Sequence, residues 1–180
     1  MRAFAITICV SAAIAALETA AQCPDLTGTY LRTPELLSVS GTNKDLGKLE
    51  SYTTLVLIHT GKERREIEPA GSDKDQIHVK YGADSEAITT TVTHNQKRST
   101  LTRHRGQAFA CIDGKLTFTP EVIEGGSEGG RGRSEQRRVF WRDADGNLIV
   151  QYFLKREHLT LGIWKTGDEG TEIWKFAKVK

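Results

Sequence analysis

The sequence predicts an all-β domain, a single antiparallel up-and-down barrel of about nine or ten strands. Apolar and polar residues alternate along most of the chain after Leu26, as in QIHVKY (76–81) and ITTTVT (88–93). Threonine at this density favours strand over helix. Asp-Gly turn signals at 113–114 and 145–146 fall at the spacing that successive hairpins need. So many short strands in one domain indicate a barrel or a sandwich, and we expect the barrel.

Residues 1–21 have the organisation of a secretory signal peptide. Arg2 precedes the uncharged apolar run AFAITICVSAAIAAL (3–17), and Thr19-Ala20-Ala21 offers small residues to signal peptidase. The run is shorter than the about 20 residues that a membrane span needs. We therefore expect cleavage after Ala21, one barrel domain over 22–180 and no transmembrane segment. The protein would be secreted, or periplasmic if its source is a Gram-negative bacterium.

A short helix and a strand are predicted in the first third of the mature chain. TPELLSVS (33–40) predicts the helix, with Thr33 as its cap and Pro34 at its first position. YTTLVLIHT (52–60), which is rich in β-branched and apolar residues, predicts the strand.

Two hairpins can be predicted residue by residue. A two-residue turn at 113–114 sets Cys111 opposite Leu116 and Phe109 opposite Phe118. A two-residue turn at 145–146 folds QRRVFWRDADGNLIVQYFL (136–154) back on itself. This second register places Val139 and Trp141 on the inner face together with Leu148, Val150, Tyr152 and Leu154. It leaves Arg138, Phe140 and Arg142 on the outer face.

Cys23 and Cys111 are the two cysteines that remain when Cys9 leaves with the signal peptide. Two cysteines in an oxidising compartment usually pair, so we expect a disulfide between them. Gln22 is not the small residue that a bacterial lipid anchor needs before its cysteine. An acylated Cys23 is therefore not expected.

The middle of the chain is basic, with ten basic and five acidic side chains over 94–142. This excess is too small to indicate a nucleic-acid-binding protein. Much of it surrounds the glycine-rich insert EGGSEGGRGRSE (124–135), which we expect to be a loop. The candidate residues for contact with an anionic partner are Arg131, Arg133, Arg137 and Arg138.

No motif in the sequence indicates catalysis. GGSEG (125–129) matches the G-x-S-x-G turn of serine hydrolases, but no helix pattern follows the serine. DADGN (143–147) resembles the start of a calcium loop, but Leu148 stands where glycine belongs. The five histidines include no i+2 or i+4 pair. We expect no catalytic residue, no metal and no cofactor, and a hydrolase whose residues meet only in the fold is the third hypothesis for function.

Gly28-Thr29-Tyr30 at the first strand resembles the G-x-W opening of lipocalin-type barrels, with tyrosine in place of tryptophan. The succession of antiparallel strands is also typical of that family. The resemblance implies a barrel with one open mouth that holds a small apolar ligand. It also implies a late arginine over the aromatic residue of the motif, and the candidates are Arg137, Arg138, Arg142 and Arg156.

The tryptophans indicate where a ligand would bind. Trp141, Trp164 and Trp174 all lie in the final 40 residues, on strands that should close the barrel. Together with Val150 and Tyr152 they are the predicted contacts of a small hydrophobic or amphipathic molecule. In the alternative, these rings fill a solidly packed barrel. The protein is then a structural or interaction module whose basic loop docks an anionic envelope polymer or protein.

Overall fold

The computed structural model describes residues 23–43, 46, 66–69, 76–81, 86–94, 97–127, 130–160 and 163–180. Within these ranges every helix or strand assigned is a β-strand, so the all-β prediction is confirmed. The predicted signal peptide (1–21) and the predicted strand at 52–60 lie outside the described residues.

The strands of the described residues form two antiparallel sheets. They are β1 (Gly28–Leu31), β2 (Glu35–Gly41), β3 (Glu66–Pro69), β4 (Gln76–Tyr81), β5 (Ala87–His94), β6 (Lys97–His104), β7 (Phe109–Ile112), β8 (Lys115–Phe118), β9 (Glu121–Ser127), β10 (Gly130–Arg142), β11 (Leu148–Thr160) and β12 (Ile163–Phe176). The first sheet has the order β1-β4-β5-β6-β3, and the second has the order β2-β12-β11-β10-β8-β7. Strand β10 pairs with β9 over residues 130–136 and with β8 at Val139 and Phe140.

Hydrogen bonds join the two sheets at two places. After β12 the chain runs beside β1, where Leu31 N–H donates to Ala177 O (2.8 Å) and Val179 N–H donates to Thr29 O (2.8 Å). At the turn between β6 and β7, Arg105 and Phe109 form a bridge. The strands within the described ranges do not by themselves complete a closed barrel, so the single barrel stays a prediction.

Both sheets contribute to one apolar core. From the first sheet come Tyr30, Ile77, Val79, Ile88 and Val92; from the second come Phe109, Leu116, Phe118, Phe140, Leu148, Val150, Tyr152, Leu154, Trp174 and Phe176. These residues recur at every second position of their strands, which is the spacing of one sheet face. The opposite face of the first sheet is polar, with cross-strand hydroxyl contacts such as Thr89–Thr102 (2.9 Å). The interior between the sheets is therefore the place where a buried site can form.

The predicted helix at 33–40 is wrong, because Glu35–Gly41 is strand β2. Strand β2 is exposed along its whole length and pairs with β12 from Glu35 to Gly41. Its second half, Ser-Val-Ser, has weak helix propensity. An isolated helix of two turns is unstable in water, whereas pairing with β12 satisfies the backbone of this segment.

The predicted loop at 124–135 is also wrong. Most of this glycine-rich insert belongs to β9 and the first part of β10. Gly125 pairs with Gly132 across the two strands, and Gly132 pairs with His158 of β11 on its other side. Pairing of β10 on both edges compensates for the low strand propensity of glycine. Together with β2, this extended hairpin raises the strand number to twelve within the described residues, above the nine or ten expected.

Candidate functional site

The disulfide between Cys23 and Cys111 is present, as predicted. The two Cα atoms are 5.1 Å apart, and the bond ties the segment before β1 to the hairpin β7–β8. That hairpin has the predicted register, with Cys111 opposite Leu116 and Phe109 opposite Phe118. The N-terminal segment is thereby fixed at one end of the core.

Tyr30 is the centre of a hydrogen-bonded cluster at this end. Its side chain is fully buried, and its hydroxyl donates to Leu26 O at 2.8 Å. Burial raises the pKa of Tyr30, so the hydroxyl is protonated at neutral pH. Arg142 of β10 donates to the same hydroxyl through Nε and Nη2, both at 3.2 Å, and also to Thr27 O. Among the four candidate arginines Arg137, Arg138, Arg142 and Arg156, Arg142 lies against Tyr30 in the structure.

Gly28 lies close against this cluster. A Cβ atom at this position would lie 3.1 Å from Tyr30 Oη and 3.3 Å from Arg142 Nη2. Both distances are shorter than most van der Waals contacts of a real Cβ atom. A side chain at position 28 would therefore require the tyrosine and the arginine to shift by a few tenths of an ångström.

The turn between β10 and β11 spans five residues, 143–147, and not the predicted two. Asp143 Oδ1 accepts hydrogen bonds from the backbone of Asp145 (3.0 Å) and Asn147 (2.8 Å), and Gly146 has a φ of 81°. As a result Val150 pairs with Phe140. The predicted two-residue turn would have paired Val150 with Trp141, the next residue along β10. A slip of one residue moves every side chain to the other face.

The predicted faces of β10 are consequently reversed. Phe140 is fully buried, 4.8 Å from the Phe118 ring, and Arg138 is 4% exposed. Val139 and Trp141 lie on the outer face and are half-buried. The predicted inner face of β11 is correct, because Leu148, Val150, Tyr152 and Leu154 are all buried.

The corrected register places three ionisable side chains in one row across the inner face. Arg138 of β10 pairs with Tyr152 of β11, and Tyr152 pairs with Glu172 of β12. Their exposed fractions are 4%, 2% and 0%. We call these three residues the interior polar row. Trp174, two residues along β12, donates its Nε1–H to Glu172 Oε2 at 2.8 Å.

Arg138 makes several further contacts inside the core. Its Nη2 donates to Gln136 Oε1 at 2.8 Å, and its Nη1 lies 3.8 Å from Glu121 Oε2. Its Cζ atom is 5.4 Å from the centroid of the Tyr152 ring. Burial lowers the pKa of Arg138 to about 10, while Tyr152 and Glu121 act in the opposite direction. The guanidinium group is therefore still charged at neutral pH.

A second buried guanidinium group comes from the first sheet. Arg103 of β6 is 6% exposed, and its Cζ atom lies 4.9 Å from the centroid of the Phe118 ring. Its charge contributes to the lowered pKa of Arg138. Burial raises the pKa of Tyr152, which stays a neutral hydrogen-bond donor at physiological pH. The interior thus combines two cationic groups, a phenol and a carboxylate with aromatic rings.

The structure brings together three of the five predicted ligand contacts. Val150, Tyr152 and Trp174 are neighbours on the inner face, at or next to the interior polar row. Trp141 is on the opposite face, where Lys115 Nζ lies 4.5 Å from its ring centroid. The side chain of Trp164 lies outside what the structure describes.

The four arginines predicted to contact a partner do not share one surface. Arg138 is in the core, whereas Arg133 and Arg137 are exposed on the outer face of β10. Arg131 belongs to β10, and its side chain lies outside the described part. These face assignments follow from the register of β10 and β11, which differs by one residue from the register that the sequence predicted.

Two residues of the interior, Arg103 and Glu172, were missed as candidates. Arg103 lies two positions after the buried Leu101, and Glu172 lies two positions before Trp174. Alternation alone would have placed both on an inner face, but charged residues are usually assigned to solvent. Arg142 was named only as one of four candidates, because its partner Tyr30 is 112 residues away.

A small polar cavity lies on the outer side of β10 and β11. It has a volume of about 140 Å³ and is lined by Arg133, Glu135, Lys155 and Glu157. Lys155 and Glu157 form an ion pair at 2.8 Å, and Arg133 pairs with Glu157 in the strand register. Two basic and two acidic side chains balance one another, so this cavity has no net charge to attract an ion.

The histidine side chains seen in the structure, those of His78, His104 and His158, are exposed and do not reach the interior. No group of three or more His, Cys, Asp or Glu side chains within the described ranges is placed to hold a metal ion. In the same part of the chain, no helix has the length and apolar character to cross a membrane.

Comparison with known proteins identifies no relative. No family model matches the chain, and no curated protein or solved structure shows significant similarity to it.

Proposed function

We propose that the chain is a secreted, non-catalytic, lipocalin-like barrel that binds a small amphipathic molecule between its two sheets. In a Gram-negative source it would be periplasmic. The observation that carries this proposal is the interior polar row of Arg138, Tyr152 and Glu172 inside an apolar core that both sheets share. A polar ligand head at this row, with an apolar tail along the aromatic lining, would match both kinds of surface.

Three further features support the barrel and its compartment. The segment after β12 pairs with β1, as closure of a barrel would need. Arg142 lies against Tyr30, which is the contact that the lipocalin resemblance implied. The disulfide Cys23–Cys111 is typical of proteins from oxidising compartments.

A specific observation favours the second candidate function, a packed structural or interaction module. Val150, Tyr152 and Trp174 are 0%, 2% and 6% exposed, so protein atoms already cover most of their surface. A ligand at this place would have to enter from the side that these residues leave open, or displace a covering segment. Ligand titration separates the two functions.

The test is a titration of fatty acids and fatty alcohols of increasing length, followed by tryptophan emission. Binding should be saturable, and affinity should rise about fourfold per added methylene until the interior is full, because each buried CH₂ contributes about 0.8 kcal/mol. Trp174→Phe should remove most of the emission change, since Trp174 contacts the row. Trp141→Phe, on the opposite face, should keep it. Absence of any saturable change in the folded protein would leave the packed module as the function.

A further inference from the structure

The outer face of the second sheet carries a band of apolar side chains. Trp141 of β10 pairs with Ile149 of β11, and Val139 pairs with Gln151, which pairs in turn with Ile173 of β12. Phe153 lies in the next row, opposite Arg137. We call the four partly exposed apolar residues Val139, Trp141, Phe153 and Ile173 the outer band; Ile149 lies in the same row as Trp141 but is buried, at 4% exposure. Their neighbours along the strands, such as Phe140, Val150 and Trp174, face the core.

Two cationic side chains lie over the aromatic rings of the outer band. Lys115 lies over the Trp141 ring with its Nζ 4.5 Å from the centroid, and Arg137 lies over the Phe153 ring at 5.4 Å. Lys115 and Arg137 are both exposed. Lys175, opposite Ile149, forms an ion pair with Glu35. Lys115 and Arg137 therefore give this part of the face a positive charge.

The neighbouring rows of the same face carry more acidic than basic side chains. Arg133 lies opposite Glu157 and Glu124, and Lys155 lies opposite Glu135 and Glu169. Arg133 is four residues from Arg137, which along a strand is about 13 Å. This exceeds the screening length of about 8 Å at physiological salt. The outer band and its two cations therefore form a distinct surface. Its positive charge is not shared by the neighbouring rows of the sheet.

We propose that the outer band docks on an anionic phospholipid surface. The outer band spans three strands and three rows, which cover roughly 200 Å². This area is well below the roughly 800 Å² that each partner buries in a stable protein interface. A second copy of the chain is therefore a poor occupant. A cation already stacks on the Trp141 ring and on the Phe153 ring, which leaves less ring surface for stacking on sugars. Apolar side chains that reach the acyl boundary, with Lys and Arg at the headgroups, match a lipid surface.

The experiment is co-sedimentation of the full chain with vesicles of phosphatidylcholine alone or with added phosphatidylglycerol. Binding should require phosphatidylglycerol. Lys115→Gln and Arg137→Gln should each weaken it about fivefold, because one basic residue near an anionic surface contributes about 1 kcal/mol. Trp141→Ala should weaken it as well. All variants share the same N-terminus, so any contribution of residues 1–21 cancels in the comparison.

The matched control is the double variant Arg133→Gln with Lys155→Gln, which removes the same charge from the same face of the sheet. It should weaken vesicle binding less than the double variant Lys115→Gln with Arg137→Gln. Equal weakening by the two pairs would overturn the proposal, and so would the absence of vesicle binding by the folded protein. Equally tight binding to soluble dextran sulfate would assign the face to a polyanion, and dimerisation through the band would assign it to a second copy. Either result also overturns the proposal.

Discussion

Replacing Phe140 with alanine should destabilise the protein far more than replacing its neighbour Trp141, although tryptophan is the larger residue. Phe140 is fully buried, with its ring 4.8 Å from that of Phe118. Removing a buried phenylalanine side chain costs about 3–5 kcal/mol. For a domain of this size the melting temperature should fall by roughly 6–20 °C. Trp141 is only partly buried on the outer face, so its replacement leaves no closed cavity in the core and should cost less; the lost contact with Lys115 contributes about 0.5–1 kcal/mol of that cost.

The assay is thermal and guanidinium unfolding of the two variants beside the wild type, followed by circular dichroism. The ordering of the two variants matters more than either value, since it reports which residue of β10 faces the core. A two-residue turn at 145–146 would bury Trp141 and expose Phe140. If Trp141→Ala proves the more destabilising variant, the five-residue turn and the interior polar row derived from it are both refuted.

The remaining predictions concern the disulfide, the turn and the N-terminal cluster. Cys111→Ala opens a loop with a sequence separation of 88, which should cost about 4–5 kcal/mol in the chain-entropy model; an unchanged guanidinium midpoint would contradict this. Burial tends to raise the pKa of Asp143, but hydrogen bonds from Asn147 and Asp145 outweigh it and lower that pKa below 3.8. The carboxylate therefore stabilises the fold above pH 3.8, and this contribution disappears as the pH falls through the lowered pKa. Asp143→Ala should flatten the stability curve in that acid range, and an unchanged acid slope would argue against the turn geometry. Arg142→Lys should cost about 1–3 kcal/mol, because an ammonium group cannot reproduce the guanidinium contacts with Tyr30 and Thr27; chemical denaturation measures this, and wild-type stability would mean that the cluster contributes nothing.

The hairpins show where local sequence predicts structure and where it does not. Asp113-Gly114 forms the expected two-residue turn, with both residues at positive φ, and every pair of β7 and β8 follows from it. The same dipeptide at 145–146 does not, because Asp143 bonds to the backbone two and four residues ahead and closes a longer turn. Side-chain hydrogen bonds of this kind compete with the simple turn, and a count of alternating residues does not include them.

The other errors arise from tertiary pairing. Residues 33–40 have a helix cap and a proline at the right positions, but β12 pairs with most of the segment from Glu35 onwards. The glycines of 124–135 favour a loop by propensity, yet β9 and β11 enclose the first part of β10 from both sides. Strand β12 is distant in sequence from residues 33–40, and β11, which pairs with the second half of the insert, follows only after the turn at 143–147. Local propensity is overridden by contacts that no short window of the sequence contains.

The turn at 143–147 decides which arginine of β10 belongs to which surface. Arg137 and Arg138 are adjacent in sequence, and nothing in their immediate neighbours distinguishes them. The five-residue turn directs Arg138 into the core beside Tyr152 and leaves Arg137 outside over Phe153. With a two-residue turn the two would exchange places, since alternate strand residues face opposite sides. The interior polar row and the outer band therefore depend on one set of hydrogen bonds around Asp143. For this reason the ligand titration and the vesicle experiment test separate functions, while the comparison of Phe140 with Trp141 tests the geometry that both require.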